Sequence, residues 1–307
     1  MNDKIKTISK FVISFTLIAV LLYKTDISKI ISQLKNIKIT FFVLALFLSF
    51  IGLVISAKKW QILLKAKGEN QKLLKVFKHY YIGAFSNLFL PSTIGGDAVK
   101  ATTISKDLNN KEEGFSSVFM ERYTGLISLI MISSFGFTYS YELLGKKILT
   151  AFILVLVLFG TITFLALSEK SQKILNFLPS KLPLNLREKI LNLHFSIREY
   201  KDQKKAILYS IIVSIFFHVI KILYVFVLAL ALGIEIPILF LIVMVPVSQI
   251  ILFLPISIQG IGVRETLYVS FLNEIGLPAS TSLSLSLLIE ITIIIKNIPG
   301  ILPILKK

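Results

Sequence analysis

The chain runs to 307 residues, is 55% hydrophobic and has a mean hydropathy of +0.80, too apolar for a soluble domain. Lys and Arg number 34 against 17 Asp and Glu, but they sit in short stretches between apolar runs. Anionic head groups and the positive-inside rule favour that placement, so no nucleic-acid partner is expected. There is no cysteine, which excludes disulfides, thiolate chemistry and Cys-ligated metals.

A membrane helix needs roughly 20 apolar residues. The first apolar run, behind Lys4, Lys6 and Lys10, has no small-x-small cleavage site before Lys24. It reads as a retained span over 5–23. Residues 26–38 place Ile27, Ile30, Ile31 and Leu34 on one helical face and predict a short amphipathic helix at the interface. A second span is predicted over 39–57. The stretch 58–78 carries seven Lys and one Glu, with Trp60 at its membrane edge, and reads as cytoplasmic. His79, beside Lys78, is expected at the interface.

Residues 79–100 follow and contain a broken motif. Residues 106–113 are polar. Spans are predicted over 115–139 and 148–167, then a polar loop over 168–205 with an amphipathic helix at 186–200. Residues 206–232 form another span. Residues 236–258 run into a second broken motif, 263–275 make a half-length helix, and 281–305 close the set. This is an all-α polytopic membrane protein with about 6–8 transmembrane helices. It forms one integral membrane domain over 1–307, with repeat halves at roughly 39–167 and 206–307.

The chain is organised around the two broken motifs. Leu90-Pro91-Ser92-Thr93-Ile94-Gly95-Gly96-Asp97-Ala98-Val99-Lys100 aligns without a gap on Leu254-Pro255-Ile256-Ser257-Ile258-Gln259-Gly260-Ile261-Gly262-Val263-Arg264. Each interrupts an apolar segment with Pro and Gly and restarts it with a cation. Ser117-Val118-Phe119-Met120-Glu121 and Ser286-Leu287-Leu288-Ile289-Glu290 match at nearly the same offset. With the N-terminus, 58–78, 168–205 and the C-terminus in the cytoplasm, the two motifs lie in opposite orientations. That is an inverted repeat with two broken or re-entrant segments. In this arrangement Lys24, Lys29, Lys35 and Lys38 face outward, against the rule.

Non-helical backbone at membrane depth is tolerated only against protein or a wet cavity. A helix restarting after the glycines exposes N–H donors and a positive dipole end, and Lys100 and Arg264 each follow a Gly by four residues. Each half thus offers donors plus a cation, which suits a phosphate. The alternative is a re-entrant shape whose cations snorkel to the interface. Asp97 is a helix cap or a partner of Arg264 or Arg122. Glu265 is a partner for a nearby cation. Glu121 and Glu290, inside apolar spans, either face a cavity or form packing ion pairs, Glu290 with Lys296 or Glu121 with Arg122. Sequence neighbours do not face each other on a helix, so Arg122 is expected to serve another segment. Ser210, Ser214, His218 and Lys221 make one polar seam facing a helix or a wet path. No G-x-S-x-G, H-E-x-x-H, P-loop, G-x-G-x-x-G or metal cluster occurs, so neither an enzyme nor a cofactor is expected.

Three ordered motifs resemble one family. Asn87-x-x-Leu90-Pro91-x-x-x-Gly95-Gly96-Asp97-Ala98-x-Lys100, Glu121-Arg122-x-x-Gly125-Leu126 and Pro255-Ile256-Ser257-x-x-Gly260-x-Gly262-x-Arg264-Glu265 are similar to signatures of the flippase-like, lysylphosphatidylglycerol synthase transmembrane-region family. Lys100 stands where Arg is usual in that family, and Gln259 where Asn is common. In its multiple peptide resistance factor branch, the membrane unit precedes an aminoacyl-transferase domain and moves aminoacylated phosphatidylglycerol between leaflets. This chain shows no such domain, so lysylphosphatidylglycerol synthesis is not expected. The resemblance implies a plasma-membrane translocator of an anionic phospholipid or a polyisoprenoid phosphate. Lys100, Arg122 and Arg264 would hold the phosphate. Asp97, Glu121 and Glu290 would balance charge or bind a cationic head group or proton. An intramembrane lipid transferase or hydrolase, and a non-transporting partner of a lipid or glycan synthase, stay open, as does a homodimer.

Overall fold

The computed structural model describes residues 3–23, 25–90, 93–108, 110–140, 153, 157, 160–161, 194–254 and 256–305. The expected span over 148–167 and most of the 168–205 loop lie outside the described residues, as do Pro91 and Pro255. What is described is helical. The elements are α1 (Asp3–Tyr23), α2 (Ile27–Lys35), α3 (Ile39–Ala66), α4 (Leu73–Ser86), α5 (Thr93–Leu108) and α6 (Lys111–Ser140). A 3₁₀ turn (Glu199–Asp202) leads into α7 (Lys204–Ala231). Then come α8 (Ile238–Leu252), α9 (Val263–Glu274), α10 (Ala279–Asn297), a second 3₁₀ turn (Ile298–Ile301) and α11 (Leu302–Leu305). Among the described residues, four stretches are long and apolar enough to cross a bilayer: Ile39–Ala66, Lys111–Phe137, Lys204–Ala231 and Ala279–Leu305.

The span expected at 39–57 does not stop there. Residues 58–66 are good helix formers with no breaker among them, so α3 runs for 28 residues, about 42 Å at 1.5 Å per residue. Lys59 and Trp60 are therefore buried inside the protein rather than placed at its cytoplasmic edge. Three helices end in the same way. After α3, α7 and α9 come Gly68, Gly233 and Gly276, all at positive φ. The next residue then bonds back five positions, as in Glu69 N–H to Leu64 O (3.1 Å), Ile234 N–H to Ala229 O (2.9 Å) and Leu277 N–H to Leu272 O (3.0 Å).

The two halves share an element order. A 28-residue helix (α3, α7) is followed by a shorter helix (α4, α8), a break, a second short helix (α5, α9) and a long one (α6, α10). The long helices α3 and α7 pack along each other, and α8 of the second half packs on α6 of the first. α1 turns by 91° into α2, so the first span is bent at its end. The Asp26 carboxylate caps α2 by accepting from Ser28 N–H at 3.0 Å. α2 docks against α10, with Gln33 donating to Thr281 Oγ1 (3.0 Å), while Ile27 and Ile31 stay exposed, as an interfacial helix requires.

Lipid tails are as apolar as Leu, so small residues and close contact hold such helices together. α10 lays Ser280, Ser282, Ser284 and Ser286 inward. Hydroxyls such as that of Ser284 are satisfied within the helix, here by Ser280 O at 2.9 Å. The tightest approach is between α4 and α5. A Cβ on Gly96 would lie 2.4 Å from Gly83 O and 2.4 Å from Asn87 Cγ. At the polar end of this pair His79 is buried, not interfacial, and its Nε2 shares a hydrogen bond with Asp107 Oδ2 at 2.7 Å. Because backbone is one of the clashing partners, Gly96→Ala should destabilise the detergent-solubilised protein by about 1–3 kcal/mol. Thermal unfolding reads this as a lower Tm, and an unchanged Tm would deny the close crossing.

Candidate functional site

The charged side chains predicted by the motifs converge on one cavity of about 330 Å³ between the two halves. Its centre is Glu121, on α6. One carboxylate oxygen receives Lys100 Nζ from α5, and the other faces Lys59 Nζ from α3 at 3.5 Å. Tyr80 OH donates to that second oxygen at 3.3 Å, and Lys59 also donates to the Glu121 main-chain carbonyl at 3.0 Å. All three charged side chains are buried. Lys100 also lies over the ring of Tyr80 (4.4 Å) and of Trp60 (5.0 Å), whose indole N–H is anchored to Ser117 Oγ at 2.9 Å.

Asp97 extends the network. It accepts from Arg122 Nε at 2.6 Å and faces Lys100 at 3.4 Å. Of the two partners considered for it, the structure places Arg122 there, and Arg122 does serve another segment. Its guanidinium stands 5.2 Å from the Phe253 ring, at the second break.

The second half builds a matching pair with fewer members. Arg264 on α9 is bonded to Glu290 on α10, and its other nitrogen donates to Gln259 O at 3.2 Å. In each half a cation after the break thus meets the Glu of the following long helix. The packing pairs considered for Glu290 with Lys296 and for Glu121 with Arg122 do not form. The two breaks themselves touch, with the Gln259 side-chain amide donating to Leu90 O. Gln259 holds φ +55° to do so, an uncommon conformation for a residue with a side chain.

Two expectations about the glycines need correction. α5 begins at Thr93, so Gly95 and Gly96 lie inside its first turns and do not precede it. Lys100 consequently stands about two turns into that helix. Gly96 N–H is already taken by Asn87 Oδ1 (2.8 Å), so this helix start supplies packing in place of a free donor. In the second copy Gly260 and Gly262 do precede α9, at φ +80° and +82°. There Glu265, expected to partner a cation, instead accepts Gly262 N–H at 2.6 Å and closes the helix start.

Asn87, Gly96, Asp97, Lys100, Glu121, Arg122, His218, Lys221, Gln259 and Arg264 all line the cavity. Gly95, Gly260, Gly262, Glu265 and Glu290 are not among the lining residues; Glu290 holds the lining Arg264, and Glu265 closes the start of α9. The polar seam divides. Ser210 bonds Thr124 Oγ1 at 2.8 Å and His218 Nε2 contacts Gly125 O at 3.2 Å, so this part packs against α6. Lys221, further along, reaches the cavity and donates to Gln249 Oε1. Lys59, Tyr80 and Lys296 also line the cavity but were missed. The signal for Lys59 was available: Gly52, Ser56 and Lys59 recur at helical spacing along α3.

Removing the Glu121 charge leaves the buried Lys59 with no carboxylate and the buried Lys100 with Asp97 alone. Glu121→Gln should destabilise the protein by roughly 3–5 kcal/mol. Lys29→Gln, at an ion pair exposed on both sides, should cost less than about 1 kcal/mol. Parallel thermal melts check this, and equal losses would overturn Glu121 as the buried counter-ion.

The model of the family described as "Lysylphosphatidylglycerol synthase TM region" matches residues 7–300. A UPF0104 membrane protein of Pyrococcus horikoshii is 28% identical over 210 residues, 62% of this chain and 62% of that relative's length. No solved structure matches.

Proposed function

The chain belongs to the lysylphosphatidylglycerol synthase transmembrane-region family, and from that premise we propose that it moves a lipid with an anionic head group between leaflets of the plasma membrane. One observation carries the reading. The two broken segments meet through Gln259 and Leu90, and cations from both halves line a single cavity there. Broken segments meeting at a shared polar site are the plan of alternating-access transporters, in which one repeat rocks against the other.

The size suits a head group. A volume of about 330 Å³ is at the low end of small-molecule sites, enough for a phosphate and its substituent but not for acyl chains. The tails would stay in the bilayer while the head group occupies the cavity. Arg264 is suited to a phosphate by its planar fork, and Lys100 as a point charge. Both are held by carboxylates, so an incoming phosphate would compete with Glu121 and Glu290 for them. That competition supplies two arrangements of the same charges, with the ion pairs closed in the empty site and open in the loaded one. The shared element order of the halves supports a duplicated origin, and opposed orientation of the copies would give the two arrangements access to opposite leaflets.

Leaflet exchange of a labelled anionic phospholipid in proteoliposomes tests the proposal. Wild type should accelerate exchange over empty vesicles, and Arg264→Ala should abolish the gain while Ile27→Ala, on the exposed face of α2, retains it. Lipid turnover without leaflet exchange would instead support a lipid-modifying enzyme.

A further inference from the structure

The charges on the cavity wall do not cancel. Six cations line it: Lys59, Lys100, Arg122, Lys221, Arg264 and Lys296. Against them stand Asp97 and Glu121 on the wall and Glu290 behind Arg264, so basic side chains outnumber acidic ones by three. The excess is not evenly spread. Lys59 and Lys100 share Glu121, Arg122 has Asp97 and Arg264 has Glu290.

Lys221 and Lys296 meet no carboxylate among the described residues. Lys221 donates only to the neutral Gln249 amide, and the charges acting on it, Lys296, Arg264 and Arg122, all have its own sign. Both lysines belong to long apolar helices, α7 and α10. In such surroundings like charges are strongly unfavourable and poorly screened, so the empty site is poised for an anion.

We propose that the cavity takes a head group with at least two negative charges, a phosphomonoester or diphosphate, and that Lys221 and Lys296 are the residues that select it. A phosphodiester brings one negative charge and a zwitterionic or aminoacylated head group brings none or a positive one, leaving the two lysines unmatched. The inference rests on the translocator reading only for its assumption that the ligand is carried by a lipid. The charge count would select the same phosphate chemistry from a free anion.

Trp60 is the single tryptophan and lies against Lys100 at the cavity, so its fluorescence reports occupancy. The full chain in phosphatidylcholine nanodiscs would be titrated with farnesyl diphosphate, farnesyl monophosphate, phosphatidylglycerol and inorganic pyrophosphate. The two farnesyl phosphates should bind at least about tenfold more tightly than phosphatidylglycerol, a difference of about 1.4 kcal/mol. Lys221→Gln and Lys296→Gln should each remove most of that preference while leaving phosphatidylglycerol binding within about twofold. The Arg replacements should restore it. Removing unmatched like charges should leave the apo melting temperatures equal or higher, which excludes misfolding as the cause.

Equal affinity for phosphatidylglycerol, or a Gln variant that weakens every ligand alike, overturns the proposal. Pyrophosphate binding as tightly as farnesyl diphosphate supports the charge selection and assigns the site to a soluble anion. Leaflet exchange of phosphatidylglycerol without preference for the dianions sinks this inference and keeps the translocator. Preference without exchange does the reverse.

Discussion

The arrangement depends on one buried carboxylate shared by two lysines. Glu121 joins Lys100 of α5 to Lys59 of the long helix α3, and Lys100 carries the link on to Asp97 and Arg122. In a low-dielectric interior none of these charges is tolerable alone. Together they fix the register of α3, α5 and α6, the three helices that form one wall of the cavity. The geometry follows from small residues nearby. Gly83 and Gly96 let α4 and α5 approach closely enough for Lys100 to reach α6 beneath Tyr80 and Trp60.

The second half repeats the scheme with a difference in compensation. Arg264 and Glu290 reproduce the cation-to-glutamate link, but among the described residues no second acid plays the part of Asp97. The position equivalent to Asp97 is Ile261 in the gapless alignment. Lys221 and Lys296 then add basic groups that meet no carboxylate among the described residues. An asymmetric site of this kind separates labour between its walls. In the first half every lining cation meets a carboxylate, and the second carries two lysines that meet none among the described residues.

A site whose cations are already paired is also a site with a reason to move. A phosphate drawn to Arg264 or Lys100 must displace a carboxylate, and the displaced Glu290 or Glu121 is then the unmatched group. The contact between Gln259 and Leu90 joins the two breaks at the same place, with Gln259 held in a conformation that costs energy.

Composition alone dictated a membrane protein, since apolar runs of this length have no other solvent, and the repeated Pro-Gly-cation motif by itself marked where the helices break. The same reading paired the two halves, because equal spacing of like residues is a one-dimensional property. What the sequence could not carry were the partners. Asp97 joins Arg122, Glu121 joins Lys100 and Lys59, and Glu265 caps its own helix, choices set by helix rotation and crossing that no spacing encodes. Lys59 and Trp60 looked like a cytoplasmic border because charge after an apolar run ordinarily marks one. Only the continuing helix, packed against α7 and α6, turned Lys59 into the wall of the site and buried Trp60 behind Lys100.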